Sequence, residues 1–242
     1  MSHPVSLKER LALVTGASRG IGRAISNVLL QAGARVVCLA RSFEQRVITA
    51  QGRETDIRCD VTDPTAVDRV LTWVRAEQGL PDIVVNNAGV FLVKPVSDTT
   101  PAEFGAVLAA NLSAPFFVAR ALVPDLVRRG SGDLVTIGSI ADHVTFPDST
   151  AYAASKFGVR GLHRALAAEL AGSGVRTTLV SPGPVDTELW DPIDPDSRAG
   201  FMRRRDMLRG EDVARAVLFA VTQPPGVDIS EIRIMPGGRR AS

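Results

Sequence analysis

The sequence predicts an α/β protein with a doubly wound parallel sheet, and three observations indicate this fold. Short runs of β-branched and aliphatic residues alternate with longer segments of helical period along the chain. A glycine-rich turn directly follows the first of these runs. No linker, charge block or low-complexity tract divides the series. The 242 residues are therefore expected to form a single domain of about seven strands and six helices.

The predicted elements follow one another in regular order. Strands are predicted at 11–15, 34–40, 55–60, 81–87, 132–139, 176–183 and 229–235, and helices at 20–31, 65–78, after Asn111, from about Tyr152 and at 210–223. Helices between consecutive strands are the usual crossovers of a parallel sheet, so the series predicts strands that are buried on both faces. Only the stretch 184–210 lacks clean periodicity. Its prolines and aromatic residues predict a lid over a site, or else a surface excursion without a role.

Composition and charge exclude several classes of function. The chain carries 28 basic and 26 acidic residues, and 5% of its residues are aromatic. This balance offers neither the basic face nor the aromatic platforms that nucleic-acid binding needs. The amino terminus is typical of a strand rather than a signal sequence, and no run reaches the ~18 apolar residues that span a bilayer. Cys38 and Cys59 are expected to be buried free thiols, so a cytoplasmic protein without a metal site is predicted.

The segment TGASRGIG at 15–22 lies between the first strand and the first helix, where a glycine-rich turn can bind phosphate. Gly16 permits a sharp turn, Gly20 lets the backbone approach a pyrophosphate, and Gly22 allows the helix to pack closely on the sheet. The amino terminus of the helix then faces the phosphates. The turn predicts a Rossmann-type dinucleotide site, although glycines here could serve conformation alone.

Further motifs accompany this turn along nearly the whole chain. They are NNAG at 86–89, Asn111, Ser139, the Y-x-x-x-K pair Tyr152 and Lys156, and PGPVDT at 182–187. In order and spacing they resemble the short-chain dehydrogenase/reductase family, in its single-domain branch. The resemblance implies an oxidoreductase that moves a hydride between a nicotinamide cofactor and a carbonyl carbon.

The catalytic group that the resemblance implies consists of Asn111, Ser139, Tyr152 and Lys156. Tyr152 and Lys156 are four residues apart at the start of a predicted helix, so their side chains project from one face. A neighbouring ammonium is expected to lower the pKa of a phenol, which makes the tyrosine a usable proton donor. Tyr152 is also the only tyrosine in the chain. In the family's reaction Ser139 would orient the carbonyl and Asn111 would hold a water against the lysine, unless Asn111 only bends its helix.

Cofactor contacts carry over by motif from the resemblance. They are Gly16, Ser18, Arg19, Gly20, Ile21 and Gly22 in the turn, Arg41, Asp60 and Val61 after the next strands, Asn87, Ala88 and Gly89, the pair Tyr152 and Lys156, and Pro182, Gly183, Val185 and Thr187. Asp60 could instead be a plain strand-end cap. NAD enzymes commonly carry a carboxylate at the end of the second strand, whereas this chain has Ala40 followed by Arg41. Arg19 and Arg41 could flank a 2′-phosphate, so NADP(H) is predicted unless both are ordinary surface residues.

Segments beside the catalytic motifs are expected to line a largely apolar substrate pocket. They contribute Phe91, Val93, His143, Val144, Phe146, Pro184, Leu189 and Trp190. His143 could touch substrate, although a neutral packed side chain is the preferred interpretation. The arginines at 203–205 could attract a carboxylate or a phosphopantetheine carrier, although a solvated run is the preferred interpretation.

Two departures from the family pattern refine the expected function. Only 42–54 is available for the second crossover, so the adenine side is expected to be open. The carboxyl end lacks the glycine-led segment of acyl-carrier reductases. The prediction is an NADPH-dependent carbonyl reductase, as a homotetramer or homodimer built on the helices after Asn111 and Tyr152. The alternatives are a secondary alcohol dehydrogenase, a 3-oxoacyl thioester reductase, and an NADP(H)-binding sensor or scaffold without turnover.

Overall fold

The computed structural model describes residues 6–44, 47–48 and 52–237 of the chain. The strands are β1 (Leu11–Thr15), β2 (Arg35–Ala40), β3 (Val47–Ile48), β4 (Glu54–Arg58), β5 (Ile83–Asn86), β6 (Gly132–Ile137), β7 (Val175–Pro182) and β8 (Glu231–Ile234). The helices are α1 (Gly20–Gln31), α2 (Pro64–Glu77), α3 (Pro101–Leu108), α4 (Ala114–Arg129), α5 (Thr150–Glu169) and α6 (Gly210–Val221). The predicted strands and helices are therefore present, with ends that differ by a few residues.

The strands form one sheet in the order β3-β4-β2-β1-β5-β6-β7-β8. Seven of them pair in parallel, and the two-residue strand β3 adds an antiparallel edge to β4. This confirms the seven-stranded parallel sheet flanked by helices; the short β3 was not predicted. Strand order reverses beside β1, which has β2 on one side and β5 on the other. A crevice forms at such a switch point, outside the carboxyl ends of the strands.

The sheet is buried on both faces by different helices. On one face, Val14 of β1 joins a cluster with Ile25 of α1 and Val217 of α6. On the other face, Leu13 of β1 packs with residues of α2 and α4 that include Leu122. Because consecutive strand residues point to opposite faces, uninterrupted aliphatic strands such as LALVT satisfy both layers at once.

The helices α3 and α4 form one continuous helix, joined by a π-helical turn at Ala109–Ser113. The helix begins at a capping box between Thr100 and Glu103 and ends at Gly130, whose φ of 73° is left-handed. By length and composition this helix could cross a membrane. One such helix is weak evidence for a membrane span, and its residues Val118 and Leu122 are buried in the cluster beneath the sheet.

The region between β2 and β4 departs from the usual crossover helix, as expected from its length. The described residues of this region contain β3 and no helix, and 45–46 and 49–51 lie outside the described residues. Residues 1–5, at the amino terminus that was predicted not to be a signal sequence, also lie outside the described residues. Both cysteines are free and buried, as predicted. Burial raises the pKa of Cys38 to about 12 and that of Cys59 to about 11, so both stay protonated and inert.

Candidate active site

A cleft of about 590 Å³ lies along the carboxyl ends of the parallel strands. Its wall takes residues that directly follow β1, β2, β4, β5, β6 and β7 in sequence, together with the first turns of α1 and α5. All eighteen predicted cofactor contacts line it: Gly16, Ser18, Arg19, Gly20, Ile21, Gly22, Arg41, Asp60, Val61, Asn87, Ala88, Gly89, Tyr152, Lys156, Pro182, Gly183, Val185 and Thr187. Residues that are far apart in the sequence thus meet in one groove.

The glycine-rich turn is shaped by contacts that leave no room for side chains. Gly16 and Gly20 have φ of 67° and 54°, in the left-handed region. A Cβ on Gly16 would lie 2.8 Å from the Cα of Ala88, and one on Gly22 would lie 2.3 Å from the carbonyl oxygen of Gly16. The helix α1 follows, and among the described residues no side chain caps its first N–H groups. These donors face the cleft and can bind an anion.

Thr15 and Asn87 lock this turn to the segment that follows β5. The Asn87 side-chain amide donates to the carbonyl oxygens of Thr15, at 2.9 Å, and Gly16, at 3.2 Å. In return, the Thr15 hydroxyl oxygen accepts from the backbone N–H groups of Asn87 and Ala88, both at 3.0 Å. The phosphate turn and the 87–89 segment therefore form one rigid wall.

Ser139, Tyr152 and Lys156 meet in the middle of the cleft. The Ser139 hydroxyl is close enough to the Tyr152 phenol to act on its pKa. The Lys156 ammonium lies 5.7 Å from the Tyr152 ring centroid, and Lys156 Nζ donates to Ile137 O at 3.1 Å. Desolvation raises the pKa of Tyr152 to about 12, and burial lowers the pKa of Lys156 to about 8. The expectation that Lys156 lowers the tyrosine pKa is therefore corrected for this structure, because desolvation raises the Tyr152 pKa and only the interaction with Ser139 opposes it.

Asn111 is buried in the π-helical turn, and its side chain does not line the cleft. Its amide donates to the Val90 carbonyl oxygen, at 3.0 Å, and to Ser155 Oγ, at 2.9 Å, while its oxygen accepts from the Val90 N–H at 2.8 Å. The side chain thus ties the long helix to α5 and to the wall of the cleft. The expected role of Asn111 in holding a water against Lys156 stays a prediction.

The residues predicted to select the cofactor lie at one end of the cleft, next to the carboxyl ends of β2 and β4. Arg19 and Arg41 are exposed and line it, whereas Ala40 is buried. Asp60 accepts hydrogen bonds from the Thr62 N–H, at 3.0 Å, and the Thr62 hydroxyl, at 2.7 Å. Against the opposing effect of partial burial, these bonds and the charge of Arg41 hold the pKa of Asp60 below its usual range. Asp60 is therefore a strand-end cap as well as part of the cleft wall.

The other end of the cleft is largely apolar. Phe91, Phe146, Pro184, Leu189 and Trp190 line it, as expected. Val93, His143 and Val144 do not line it, which corrects three of the expected substrate contacts. The His143 ring points to the back of the site instead, because Nε2 lies 3.1 Å from a carboxylate oxygen of Asp142 and 2.8 Å from one of Glu231.

The irregular segment 184–210 is closed at its base and clamped from within. Its two ends meet at a bridge between Val185 and Leu208, where Asp186 N–H donates to Leu208 O at 2.8 Å and Leu208 N–H donates to Pro184 O at 2.9 Å. Arg204 pairs with Asp186 at 2.9 Å and with Asp191 at 2.6 Å. Of the arginine triplet, Arg204 is therefore occupied within the segment, and none of the three lines the cleft.

Some cleft residues were not predicted from the sequence. They are Leu39, Ser42, Cys59, Thr62, Val90, Ala110, Ile137, Gly138, Ile140 and Glu188. Most of them neighbour a motif residue, and this adjacency is the signal that could have found them. A buried carboxylate, Asp142, lies directly behind Ser139 and was also missed. An aspartate in a loop after a serine is usually a simple turn cap, so the sequence gives no signal that Asp142 belongs to the site.

The residues of the cleft fit a nicotinamide dinucleotide. The glycine turn forms a cradle that a Cβ would fill, the uncapped amino terminus of α1 suits a pyrophosphate, and Lys156 stands beside the proton-donor candidate. Fold and site together define a Rossmann-type oxidoreductase.

Comparison with known proteins agrees with this class. The pattern that describes the short chain dehydrogenase family matches residues 10–198, and this chain belongs to that family. An oxidoreductase of uncharacterized activity from Staphylococcus aureus strain USA300 is 34% identical over 234 residues, which cover 95% of this chain and 98% of that one.

Two solved structures are similar over nearly their whole length. A metagenomic short-chain oxidoreductase in complex with NADP is 33% identical with a TM-score of 0.79, covering 96% of this chain and 99% of that one. The closed form of a serine dehydrogenase complexed with NADP⁺ is 27% identical with a TM-score of 0.84, covering 96% and 97%.

Proposed function

We propose that this protein is an NADPH-dependent carbonyl reductase for a largely apolar small molecule, with Tyr152 as the proton donor. The observation that carries the proposal is the meeting of Ser139, Tyr152 and Lys156 between the glycine-rich cradle and an apolar wall. This arrangement holds an acid next to the place where a nicotinamide and a carbonyl would face each other.

When bound, the nicotinamide supplies the hydride. The phenol of Tyr152 gives its proton to the carbonyl oxygen, and the raised pKa, about 12, keeps that proton in place at neutral pH. Ser139 donates a hydrogen bond to the same oxygen and orients it. Lys156, whose pKa is lowered to about 8, is largely charged at neutral pH and holds the nicotinamide ribose.

Asn111 positions Tyr152 indirectly, through Ser155 and the Tyr152 backbone carbonyl. Its amide holds Ser155 Oγ, and the Ser155 hydroxyl donates to the carbonyl oxygen of Tyr152 at 2.7 Å. Asn111 therefore fixes the first turn of α5 against the segment after β5, which keeps the tyrosine in register with the cofactor wall.

The proposed preference for NADP(H) over NAD(H) rests on charge at the adenosine end. Arg19 and Arg41 supply two exposed guanidiniums there, and Ala40 stands where a ribose-binding carboxylate would repel a 2′-phosphate. The complexes of two similar oxidoreductases with NADP support this choice.

The proposed substrate class rests on the wall that faces Tyr152. Phe91, Leu189 and Trp190 offer apolar surface, and within the described cleft lining the only cations are Arg19, Arg41 and Lys156. These three stand at the adenosine end or in the catalytic group, so a substrate carboxylate finds no free partner. An uncharged ketone or aldehyde therefore suits the site better than a hydroxy acid or an acidic carrier.

The segment 184–210 acts, in this proposal, as the lid of a single catalytic domain. Leu189 and Trp190 bring its apolar residues to the cleft, and the Arg204 clamp keeps that part of the segment folded. Free buried thiols agree with a cytoplasmic location.

The proposed assembly is a homodimer or homotetramer. Phe104 of α3, Phe116 of α4 and Phe157 of α5 are each more than a third exposed, and large exposed aromatic side chains are typical of contact surfaces. Light scattering at micromolar concentration tests the assembly, and a monomer alone would contradict it.

The decisive experiment follows NADPH oxidation against aryl ketones, diketones, aldehydes and β-keto esters, in the wild type and in Tyr152→Phe. We expect turnover in the wild type, and its loss in the variant with NADPH binding retained. Phe219→Leu, at an exposed position of α6 outside the cleft lining, serves as the control for changing an aromatic residue. NADPH binding without turnover of any carbonyl in the wild type would favour a sensor or scaffold, and equal turnover in Tyr152→Phe would exclude the assigned proton donor.

A further inference from the structure

A carboxylate with no solvent exposure lies directly behind the catalytic serine. Asp142 ends the 3₁₀ turn Ile140–Asp142, which begins immediately after Ser139. Its Oδ2 accepts hydrogen bonds from the Ser139 N–H, at 3.1 Å, and from the hydroxyl of Ser181, at 2.7 Å. A buried carboxylate is costly unless it is hydrogen-bonded, so these two donors are the local compensation for placing it here.

The local backbone makes room for this carboxylate. A Cβ at Gly138 would lie 2.3 Å from Asp142 Oδ2 and 2.9 Å from Ser181 Oγ. Any side chain at position 138 would displace the carboxylate from the Ser139 N–H. Position 138 therefore requires glycine, because a larger residue would collide with the Asp142 carboxylate.

The turn also sets the direction of the Ser139 hydroxyl. Ser139 Oγ accepts from the Ala141 N–H at 3.1 Å, while Asp142 accepts from the Ser139 N–H, so the two residues cap the turn reciprocally. With its oxygen held by the Ala141 N–H, the serine keeps its own hydrogen for an acceptor in the cleft.

Charged groups surround Asp142 on several elements. His143 Nε2 lies 3.1 Å from Oδ1 and 2.8 Å from Glu231 Oε1 beside it on β8, and Arg160 of α5 donates to the Asp142 carbonyl oxygen at 3.2 Å. Arg164 of α5 lies 3.6 Å from Glu231. Toward the cleft, burial dominates the pKa values of Tyr152 and Lys156, raising the first and lowering the second, and the negative charge of Asp142 favours the protonated form of both.

We propose that Asp142 is a positioning residue for the reaction: its carboxylate fixes the turn that directs the Ser139 hydroxyl into the cleft, and its negative charge stands behind Tyr152 and Lys156. The inference rests on the proposed reductase function, because it assigns a role in that reaction. On the other side, His143 Nε2 lies 3.1 Å from the second carboxylate oxygen, Oδ1, without making a hydrogen bond to it.

Two variants separate the turn from the charge. Asp142→Asn keeps an oxygen that can accept from the Ser139 N–H but removes the charge, whereas Asp142→Ala removes both. We expect Asp142→Ala to lower kcat by about 100-fold, the scale of a small misplacement of a catalytic group, with the KM for NADPH within about twofold of the wild type. Asp142→Asn should lose less kcat, and the alkaline limb of its pH profile should move to lower pH, because the groups that Asp142 stabilises in their protonated forms lose that support.

The matched control is Asp148→Asn in the same connection to α5. Asp148 has a φ of 63°, which asparagine tolerates, and we expect its pH profile and kcat to equal those of the wild type. Unchanged kcat in both Asp142 variants, or a pH profile of Asp142→Asn equal to that of the wild type, would overturn the proposal.

A readout without turnover keeps this test independent of the proposed function. Because Tyr152 is the only tyrosine, a ¹³C label on tyrosine gives a single signal whose shift reports its ionisation. We expect Asp142→Asn to ionise at lower pH than the wild type, and Asp148→Asn to match the wild type. Equal midpoints in wild type and Asp142→Asn refute the charge effect, whereas a wild type that reduces no carbonyl refutes the reductase function alone.

Discussion

The ring of Phe91 stands edge-on to the ring of Tyr152, with centroids 4.7 Å apart and planes at 77°. Trp190 packs against Phe91 in turn, with centroids 4.9 Å apart. Phe91 belongs to the segment after β5, Tyr152 to α5, and Trp190 to the segment after β7. Through its contacts with both rings, Phe91 therefore joins the cofactor wall to the proposed proton donor and to the proposed lid.

This contact predicts the effect of Phe91→Ala. We expect the KM for an aryl ketone to rise about fivefold, because an aromatic pair contributes about 1 kcal/mol beyond its apolar area. The KM for NADPH should stay unchanged. Phe219→Ala, at an exposed position of α6 outside the cleft lining, is the control and should alter neither constant. A substrate KM that is unaffected by Phe91→Ala would remove Phe91 from the substrate wall.

Cofactor preference is tested by Arg41→Asp. The carboxylate would repel a 2′-phosphate and offer an acceptor to a ribose hydroxyl, so the ratio of kcat/KM for NADPH to that for NADH should fall by about 100-fold, the scale of one or two charge-assisted hydrogen bonds. Arg58→Asp, at the exposed end of β4, controls for the change in net charge. An unchanged ratio in Arg41→Asp would mean that Arg41 is an ordinary surface residue.

The pH dependence of cofactor binding follows from Lys156. Its pKa is lowered to about 8, so the ammonium is charged below this pH and loses its proton above it. The affinity for NADPH, followed by nicotinamide fluorescence, should therefore weaken as the pH rises through about 8. In Lys156→Arg this step should vanish, because a guanidinium stays charged. The same step in both proteins would assign the titration to another group.

Arg204→Ala tests the clamp within the proposed lid. Loss of the pairs with Asp186 and Asp191 should loosen the segment and raise the substrate KM several-fold, with little change in the free energy of unfolding. Arg205→Ala removes a neighbouring arginine that makes no contact with the cleft, and its kinetics should equal those of the wild type. Equal KM values in the two variants would show that the clamp does not serve the substrate.

Asp133 predicts a stability effect at the opposite end of the sheet. Its buried carboxylate pairs with Arg10 at 2.5 Å and with Arg176 at 2.8 Å. Asp133→Asn should lower the free energy of unfolding by about 3 kcal/mol in urea titrations, because it leaves two guanidiniums without their anion, while kcat stays unchanged. Asp68→Asn, which loosens an exposed pair at 3.8 Å, should cost less than about 1 kcal/mol. Similar losses in both variants would contradict the role of burial.

The fold and the wall of the cleft were predictable because their signals are local. The strand Leu11–Thr15 and the helix Gly20–Gln31 were predicted to the residue, since aliphatic runs and a glycine turn bound both. The predictions that were wrong concern side-chain orientation and pKa rather than the place of a residue in the fold. His143 is next to the site in sequence but turns toward Glu231, and the tyrosine pKa depends on desolvation, which spacing does not reveal. Such outcomes depend on packing between distant elements.

The closed base of the segment 184–210 bears on how such a protein could acquire a new substrate. Because the backbone is already paired at Val185 and Leu208, the ends of the segment stay in register with β7 and α6 whatever lies between them. A different stretch of similar length could be grafted between these two residues without disturbing the sheet. In the proposed function Leu189 and Trp190 carry part of the substrate wall within this segment, so recombination within the family could exchange that part while Ser139, Tyr152 and Lys156, which lie outside the segment, are inherited unchanged.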